Sequence, residues 1–369
     1  MGKVESITDD RSALTRNAAE KGLIEYWEAR EIIENPALRV RAVPHVWHFR
    51  DMYPLLERAS ALVPVEHAYR RALLFQNPGL APRPWITTTI YGGCSWYNPG
   101  ESAEVHRHPP GASRFALAGN GGFTMVEGEK CLMSRGDLVI TPNGAFHDHG
   151  NDGTEPIIWV DLLDLPTVEA LRNNWSMDYE YFEGREQKRK QSESKCAGYS
   201  AKLYGAGGIK PRLPSHKRGQ SRGSPKFLYR WEDTLRALDD LRDVMDDPCD
   251  GVSVEFVNPV NGQSVMPTMS FSVHLYKSGK TFDFQRKTGS TVFCVIEGRG
   301  RTEIDGAPAL QWEKNDLFVV PDWTWYRHVS ADPKSDVLLY AVGDEPVVKN
   351  LELWRHQRRT AAGAIEELG

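Results

Sequence analysis

"RGDLVITPNGAFHDHGN", residues 135 to 151, and "KNDLFVVPDWTWYRHVS", residues 314 to 330, align without a gap. Each opens on Asp-Leu, runs through β-branched residues to a proline, turns, and resumes with an aromatic or histidine-bearing run. A second pair, "RFALAGNGG" (114 to 122) and "VFCVIEGRG" (292 to 300), lies at nearly the same separation. Self-similarity at a fixed spacing marks a repeated structural unit. The chain therefore reads as two copies of one β unit.

Working outward, residues 85 to 162 consist of short β-branched and aromatic runs separated by Gly, Pro and Asn, the punctuation of an all-β domain. "WITTTIYGG", "FTMVEGEKC" and "DLVITPNGAFH" are examples, and a second β-rich region spans about 252 to 343. Leu14, Ala18, Leu23, Trp27 and Ile32 recur at helical spacing, which predicts an amphipathic helix over 11–34 that ends near Asn35-Pro36. "RWEDTLRALDDLRDVMD" (230 to 246) predicts another. Between the β regions, 183 to 226 is rich in Lys, Arg, Gly, Ser and Pro and reads as a solvated connection, or as a basic dock for an anionic substrate or partner. The expected organisation is an N-terminal helical and arm region (1–84), a first β domain (85–182), a basic linker with a helix (183–251), a second β domain (252–345) and a tail (346–369).

At 369 residues the chain can bury a substantial core. Its net charge of -5 and pI near 6.2 give no electrostatic case for nucleic acid or a membrane surface. The five scattered cysteines contain no CxxC pair, which argues for a reducing compartment. With no apolar leader and no long apolar run, a cytoplasmic location is expected.

Alternate side chains of a strand share a face, so His106 and His108 are expected to point together into a small barrel. His147 follows the turn signal Pro142-Asn143-Gly144 and would complete a three-histidine face. Neutral imidazoles suit first-row metals such as Fe, Zn, Cu or Ni, and three of them leave positions open for substrate or O₂. An HxH pair alone reads equally well as two hydrogen-bonded histidines; the surrounding spacing decides. Gly100-x5-His106-x-His108, followed by Gly136-x5-Pro142-x-Gly144-x2-His147-x3-Asn151, resembles the two motifs of the cupin superfamily, a double-stranded β-helix or jelly-roll fold. The glutamate that many cupins place after the second histidine is missing, with Ala112 and Ser113 there, so an open ion is expected. In the second copy Tyr326 stands at the position of His147, and "TFDFQRKTG" replaces the HxH stretch. That copy is expected to have lost its metal, and His328, matching His149, reads as an ordinary residue.

"AVPHVWHF" (42 to 49), "RRALLFQNPGL" (70 to 80), "EVHRHPPGASRF", "DLLDLP" (161 to 166), "FVNPVNGQSVMPT" (256 to 268), "GSTVFCVIEG" and "DLFVVPDW" resemble a bicupin family, the gentisate 1,2-dioxygenases with their salicylate and 1-hydroxy-2-naphthoate relatives. The resemblance covers most of the chain outside the N-terminal helix and the basic linker. It implies Fe(II) held by His106, His108 and His147, and ring opening of an aromatic acid by O₂ between the carbons that bear the carboxylate and the ortho hydroxyl. It also implies that Arg114 stabilises the substrate carboxylate or the developing negative oxygen, and that His149 donates a hydrogen bond or transfers a proton. Arg70 becomes a substrate-anion contact and Asp161 the group that orients a neighbour.

Three departures bear on the substrate. Tyr91 stands where some relatives carry tryptophan, Ser95 where glutamine can stand, and Glu66 where a relative has arginine. Tyr91 and Ser95 are thus expected to contact the ring, and a salicylate lacking the second hydroxyl or carrying a nitro or halogen group competes with gentisate. The rival functions are 1-hydroxy-2-naphthoate dioxygenase, a metal-dependent cupin isomerase or decarboxylase, and a non-catalytic storage bicupin. Unpaired sheet edges and the family pattern lead us to expect a homotetramer.

Overall fold

The structure is a computed structural model that describes residues 2–27, 30, 41–65, 71–174, 177–178, 194–205 and 223–369. Arg70, Glu66 and most of the basic stretch 183–226 lie outside them. Met1–Arg41 and Ala42–Gly369 form separate units. In the first unit, helix α1 spans Gly2–Glu20. The helix expected over 11–34 therefore ends much earlier than its apolar spacing suggested. Gly22 has φ +69°, Leu23 N–H returns to Ala18 O at 2.8 Å and Gly22 N–H to Ala19 O at 3.0 Å. That pair of bonds closes a helix on a left-handed glycine, and Gly22 supplies it without a steric cost.

The second unit is all-β, with strands β1 (His45–Trp47), β2 (Ala72–Leu74), β3 (Tyr91–Tyr97), β4 (His106–Arg107), β5 (Ala112–Ala118), β6 (Asn120–Val126), β7 (Glu129–Ser134), β8 (Leu138–Thr141), β9 (His147–Asn151), β10 (Ile157–Leu163), β11 (Met177–Asp178) and β12 (Leu228–Tyr229). The second half repeats the order with β13 (Val252–Glu255), β14 (Ser270–Tyr276), β15 (Phe284–Lys287), β16 (Thr291–Glu297), β17 (Arg299–Ile304), β18 (Ala307–Glu313), β19 (Leu317–Val320), β20 (Tyr326–Ser330), β21 (Val337–Gly343), β22 (His356–Arg359) and β23 (Ile365–Glu367). Helices α2 (Phe49–Leu62), α3 (Leu165–Ala170), α4 (Tyr199–Tyr204), α5 (Trp231–Leu241) and α6 (Glu345–Asn350) are peripheral. Each half is a barrel of two antiparallel sheets: β12-β8-β5-β10-β3-β2 with β11-β4-β9-β6-β7, and β1-β19-β16-β21-β14-β13 with β18-β17-β20-β15-β22-β23. The expected pair of cupin barrels is what the chain forms.

Two local expectations change. "WITTTI" is a turn and the strand starts at Tyr91, because Ile86 N–H and Thr87 N–H both reach Ile90 O, at 3.1 and 3.0 Å, burying Ile86 and Ile90. The helix of 230 to 246 is shorter, Trp231–Leu241.

Strand pairing gives the repeat an offset of 179 residues. His106 pairs with His147 and Gln285 with Tyr326, while Arg114 pairs with Val139 and Phe293 with Phe318. The sequence parallel that set Arg114 against Val292 is therefore one residue out of register. Gly121 is the cause: it is an extra, bulged residue between Asn120 and Gly122, with φ +87°. Past it, Gly122 matches Gly300 as the sequence suggested.

The barrels pack through one continuous core, in which the Phe115 and Tyr340 rings stack at 4.1 Å and 9°. They also exchange arms. β1, which precedes the first barrel, pairs with β19 of the second, and β12, which precedes the second, pairs with β8 of the first. The helix after each arm is anchored by a carboxylate of the host barrel: Asp316 accepts Phe49 N–H and Asp137 accepts Trp231 N–H, both at 2.8 Å. Asp at a helix N-terminus satisfies a donor with no partner inside the helix.

A second exchange joins the barrel ends. Asp164 accepts Gly111 N–H at 2.8 Å and the Thr268 hydroxyl of the other barrel at 2.5 Å; Asp344 does the same with Ser290 N–H and Thr89. Burial pushes Asp344 up to about 6. Because the folded state favours its protonated form, this contribution is complete below the unfolded value near 4 and is lost as pH rises through about 6. The shift amounts to about 2–3 kcal/mol. Asp344→Asn is thus expected to flatten the decline in urea midpoint between pH 4.5 and 7, and an unchanged decline would refute this assignment.

Candidate metal centre

β4 and β9 are adjacent and antiparallel, and the turn joining β8 to β9 clamps the loop after His106. Gly144 N–H reaches His108 O at 2.9 Å and the Asn143 amide donates to Pro109 O at 2.7 Å. His106, His108, His147 and His149 consequently converge inside the first barrel, at 3%, 8%, 0% and 3% exposure. The His147 ring centroid lies 4.2 Å from that of His106 and 4.8 Å from that of His108.

Distance alone would choose a different trio from the expected one. The nitrogens of His106, His147 and His149 all lie within 4.8 Å of one another. Hydrogen bonding separates the four. Nδ1 of His106 faces Glu104 O at 2.7 Å, that of His108 faces Pro110 O at 2.9 Å and that of His147 faces Ala145 O at 2.9 Å. A carbonyl only accepts, so each Nδ1 carries the proton and each Nε2 keeps its lone pair, the arrangement that orients metal-binding histidines. The Nδ1 of His149 instead meets the Thr124 hydroxyl at 3.2 Å, which fixes no tautomer. Backbone carbonyls thus fix the tautomers of His106, His108 and His147, whereas distance groups His106, His147 and His149.

The donor set fits a first-row divalent metal. His147 Nε2 is buried with no hydrogen-bond partner among the described residues, a costly state that a metal would relieve. Burial, then the neighbouring His106 and Arg114, hold His147 well below the usual imidazole range, so it stays the neutral ligand form.

His149 and Thr124 face each other across β9 and β6, and His328 and Thr302 do so at the matching place of the second barrel, at 2.9 Å. His328, expected to be an ordinary surface or core residue, is buried and repeats the same pair.

Arg114 lies on the inner face of β5, 1% exposed. Its Nε meets Asp161 Oδ1 at 3.0 Å and its Nη1 donates to Thr141 Oγ1 at 2.8 Å. Asp161 Oδ2 accepts the Ser95 hydroxyl at 2.6 Å and the Trp159 indole N–H at 3.0 Å. Asp161 thus joins Arg114 to Ser95. Tyr91 stands four residues before Ser95 on β3 and, by the alternation of a strand, on the same face. Thr141 and Trp159 were missed from sequence; Thr141 sits in the run "DLVITP", where nothing distinguishes it from a strand residue.

A cupin domain model matches residues 96–163. Gentisate 1,2-dioxygenase 1 of Aquipseudomonas alcaligenes is 34% identical over 96% of this chain and 98% of its own. The chain belongs to the gentisate 1,2-dioxygenase family. A second member, 5-aminosalicylate 1,2-dioxygenase of Comamonas sp., is 32% identical over 98% of this chain and 94% of its own. The solved salicylate 1,2-dioxygenase of Pseudoaminobacter salicylatoxidans, with gentisate, superposes with a TM-score of 0.83 at 31% identity, covering 95% of this chain and 94% of that one. The chain is accordingly a ring-cleaving dioxygenase of a metal-dependent cupin family. Among the described residues no helix is long and apolar enough to cross a membrane.

Proposed function

We propose that this dioxygenase uses Fe(II), held by His106, His108 and His147, to open the ring of a 2-hydroxybenzoate-type acid between the carboxyl-bearing and hydroxyl-bearing carbons. The carrying observation is the set of three backbone carbonyls that fix those histidines with Nε2 presented inward. Iron bound there would supply a Lewis acid for the carboxylate and phenolic oxygen and a site for O₂.

The residues around it bind, orient and neutralise. Arg114 donates to negative oxygen, and its Nε–Asp161 contact holds the guanidinium plane against rotation. His149 lies beside the ligands with its Nδ1 on the Thr124 hydroxyl, so a proton for the substrate would be held at its Nε2. Arg70 is proposed as a further carboxylate contact, as its motif implies. The burial of the four histidines and Arg114 would keep water from the reacting groups. We also read the enzyme as cytoplasmic and homotetrameric.

Ser95 favours one end of the substrate range. Its only proton is donated to Asp161 Oδ2, so its oxygen is left as an acceptor. An acceptor suits a ring hydroxyl or amino group better than a nitro group or chlorine. Anaerobic Fe(II) loading followed by O₂ uptake tests this with gentisate, salicylate, 5-aminosalicylate, 5-nitrosalicylate, 5-chlorosalicylate and 1-hydroxy-2-naphthoate. The expected kcat/KM is higher for gentisate or 5-aminosalicylate than for the nitro and chloro acids by about tenfold, the worth of one good hydrogen bond. Uptake with none of the six would sink the reading, and preference for the nitro or chloro acid would reverse the role of Ser95.

A further inference from the structure

The second barrel has replaced its metal site by something specific. At the offset of 179, the positions of His106, His108 and His147 hold Gln285, Lys287 and Tyr326. A cation, the Lys287 ammonium, now stands in the strand position of a metal ligand. Around it the barrel keeps a cavity of about 220 Å³, room for about seven waters at roughly 30 Å³ each.

Lys287 is held by one carboxylate. Its Nζ is 3.3 Å from Asp250 Oδ2, while Asp250 Oδ1 accepts the Gln285 amide at 2.6 Å. An ammonium has three N–H bonds, and among the described residues Asp250 is the one hydrogen-bond acceptor for Lys287. Although burial alone would lower it, the charge of Asp250 carries Lys287 above its usual value. Tyr326, deep in the wall, is likewise raised, chiefly by burial. Neither group is poised as a base or nucleophile; the pair forms a fixed cation beside a fixed hydroxyl donor. This is the chemistry of binding.

The opposite sign lies nearer the mouth. The Lys287 and Asp250 side chains are 16% and 20% exposed, whereas that of Glu345 is 35% exposed and Glu255 is an exposed residue. Partial burial raises Glu255 above its usual value against the opposing hydrogen bond from Ser264, and the neighbouring Glu345 carboxylate adds a repulsion that a cation between them would relieve. Glu345 does have an ion-pair partner, Lys349, one turn along α6, but exposed pairs of that kind are weak and exchangeable. A bare anion would meet three carboxylates, Asp250, Glu255 and Glu345, against Lys287 alone. A bare cation would leave the Lys287 ammonium with Asp250 as its one carboxylate partner.

We propose that the second barrel is a metal-free binding site for a small zwitterion with the charge pattern of an α-amino acid, its carboxylate on Lys287 and its ammonium between Glu255 and Glu345. Phe293 and Trp354, which also line the cavity, receive the carbon skeleton. This goes beyond the ring-cleaving reaction and needs neither iron nor O₂.

Calorimetric titration of the full chain, with and without chelator, tests it using glycine, alanine and phenylalanine against propionate and propylamine. The expected result is one-site binding of at least one amino acid, undiminished by chelator, and at least tenfold weaker binding of propionate and propylamine. Glu255→Gln, at an exposed position, is expected to weaken that binding at least fivefold and leave ring cleavage unchanged. Lys287→Met is expected to abolish it; because that variant strands Asp250 and can fail to fold, Glu255→Gln is the deciding variant. Binding of none of the amino acids overturns the proposal, as does propionate or propylamine binding as tightly as the amino acids, or Glu255→Gln binding like wild type. Failure of the O₂-uptake panel would leave this result unaffected.

Discussion

His106→Ala is expected to reduce bound metal from about one equivalent per chain to less than about a tenth, because losing a ligand should exceed the 10–100-fold cost of losing a group behind one. O₂ uptake with any aromatic acid should disappear with it. The control is Tyr326→Phe, which changes the matching position of the second barrel and should leave metal content alone. His149→Ala separates the two candidate trios. If His106, His108 and His147 are the ligands, that variant keeps its metal and loses rate. If metal content instead falls with His149→Ala and survives His108→Ala, proximity rather than tautomer selects the ligands. Metal analysis of the purified variants settles the matter without an activity measurement.

The second large effect is expected at Arg114. Removing a buried donor from developing negative charge in a water-excluded site costs about 10²–10³-fold in kcat, and Arg114→Ala should fall in that range. Arg114→Lys keeps the charge but loses the planar fork, with Nε on Asp161 and Nη1 on Thr141, so it should recover only part of the rate. Asp161 acts through Arg114. Asp161→Asn should therefore lower kcat more than it raises KM, with metal content unchanged. A rise in KM alone would mean that Arg114 binds the substrate without discriminating the reaction's later stages.

The two-barrel architecture was legible because repetition is a property of the string. So were the four histidines, since alternation and a turn place them on one face whatever packs around them. The helix boundary at Gly22 was harder to read. Apolar residues continued past it at helical spacing, and periodicity does not record that a glycine has taken a left-handed conformation. The register slip at Gly121 was invisible for a related reason: an ungapped comparison cannot see a bulge, and only the pairing of β6 with β7 exposes it. Assigning hydrogen-bond partners was beyond sequence altogether. Asp161 was expected to orient a neighbour, but that it would join Arg114, Ser95 and Trp159 depends on three strands meeting side by side. The second barrel shows the opposite limit, for there the absence of histidine from the three ligand positions was plain while the meaning of Lys287 was not. It emerges only when Gln285 is seen to pair as His106 does.

The exchanged arms govern how the protein can be made. A ribosome releases residues in order, at about 5–20 per second. The first barrel can close as soon as β12, at Leu228–Tyr229, has emerged to cover the edge of β8. β1, at His45–Trp47, has no such early partner, because its edge is β19 at Leu317–Val320. The earliest strand of the barrels is thus among the last to be paired, and during synthesis β1 remains an unpaired strand for roughly 5–20 seconds after the first barrel is complete.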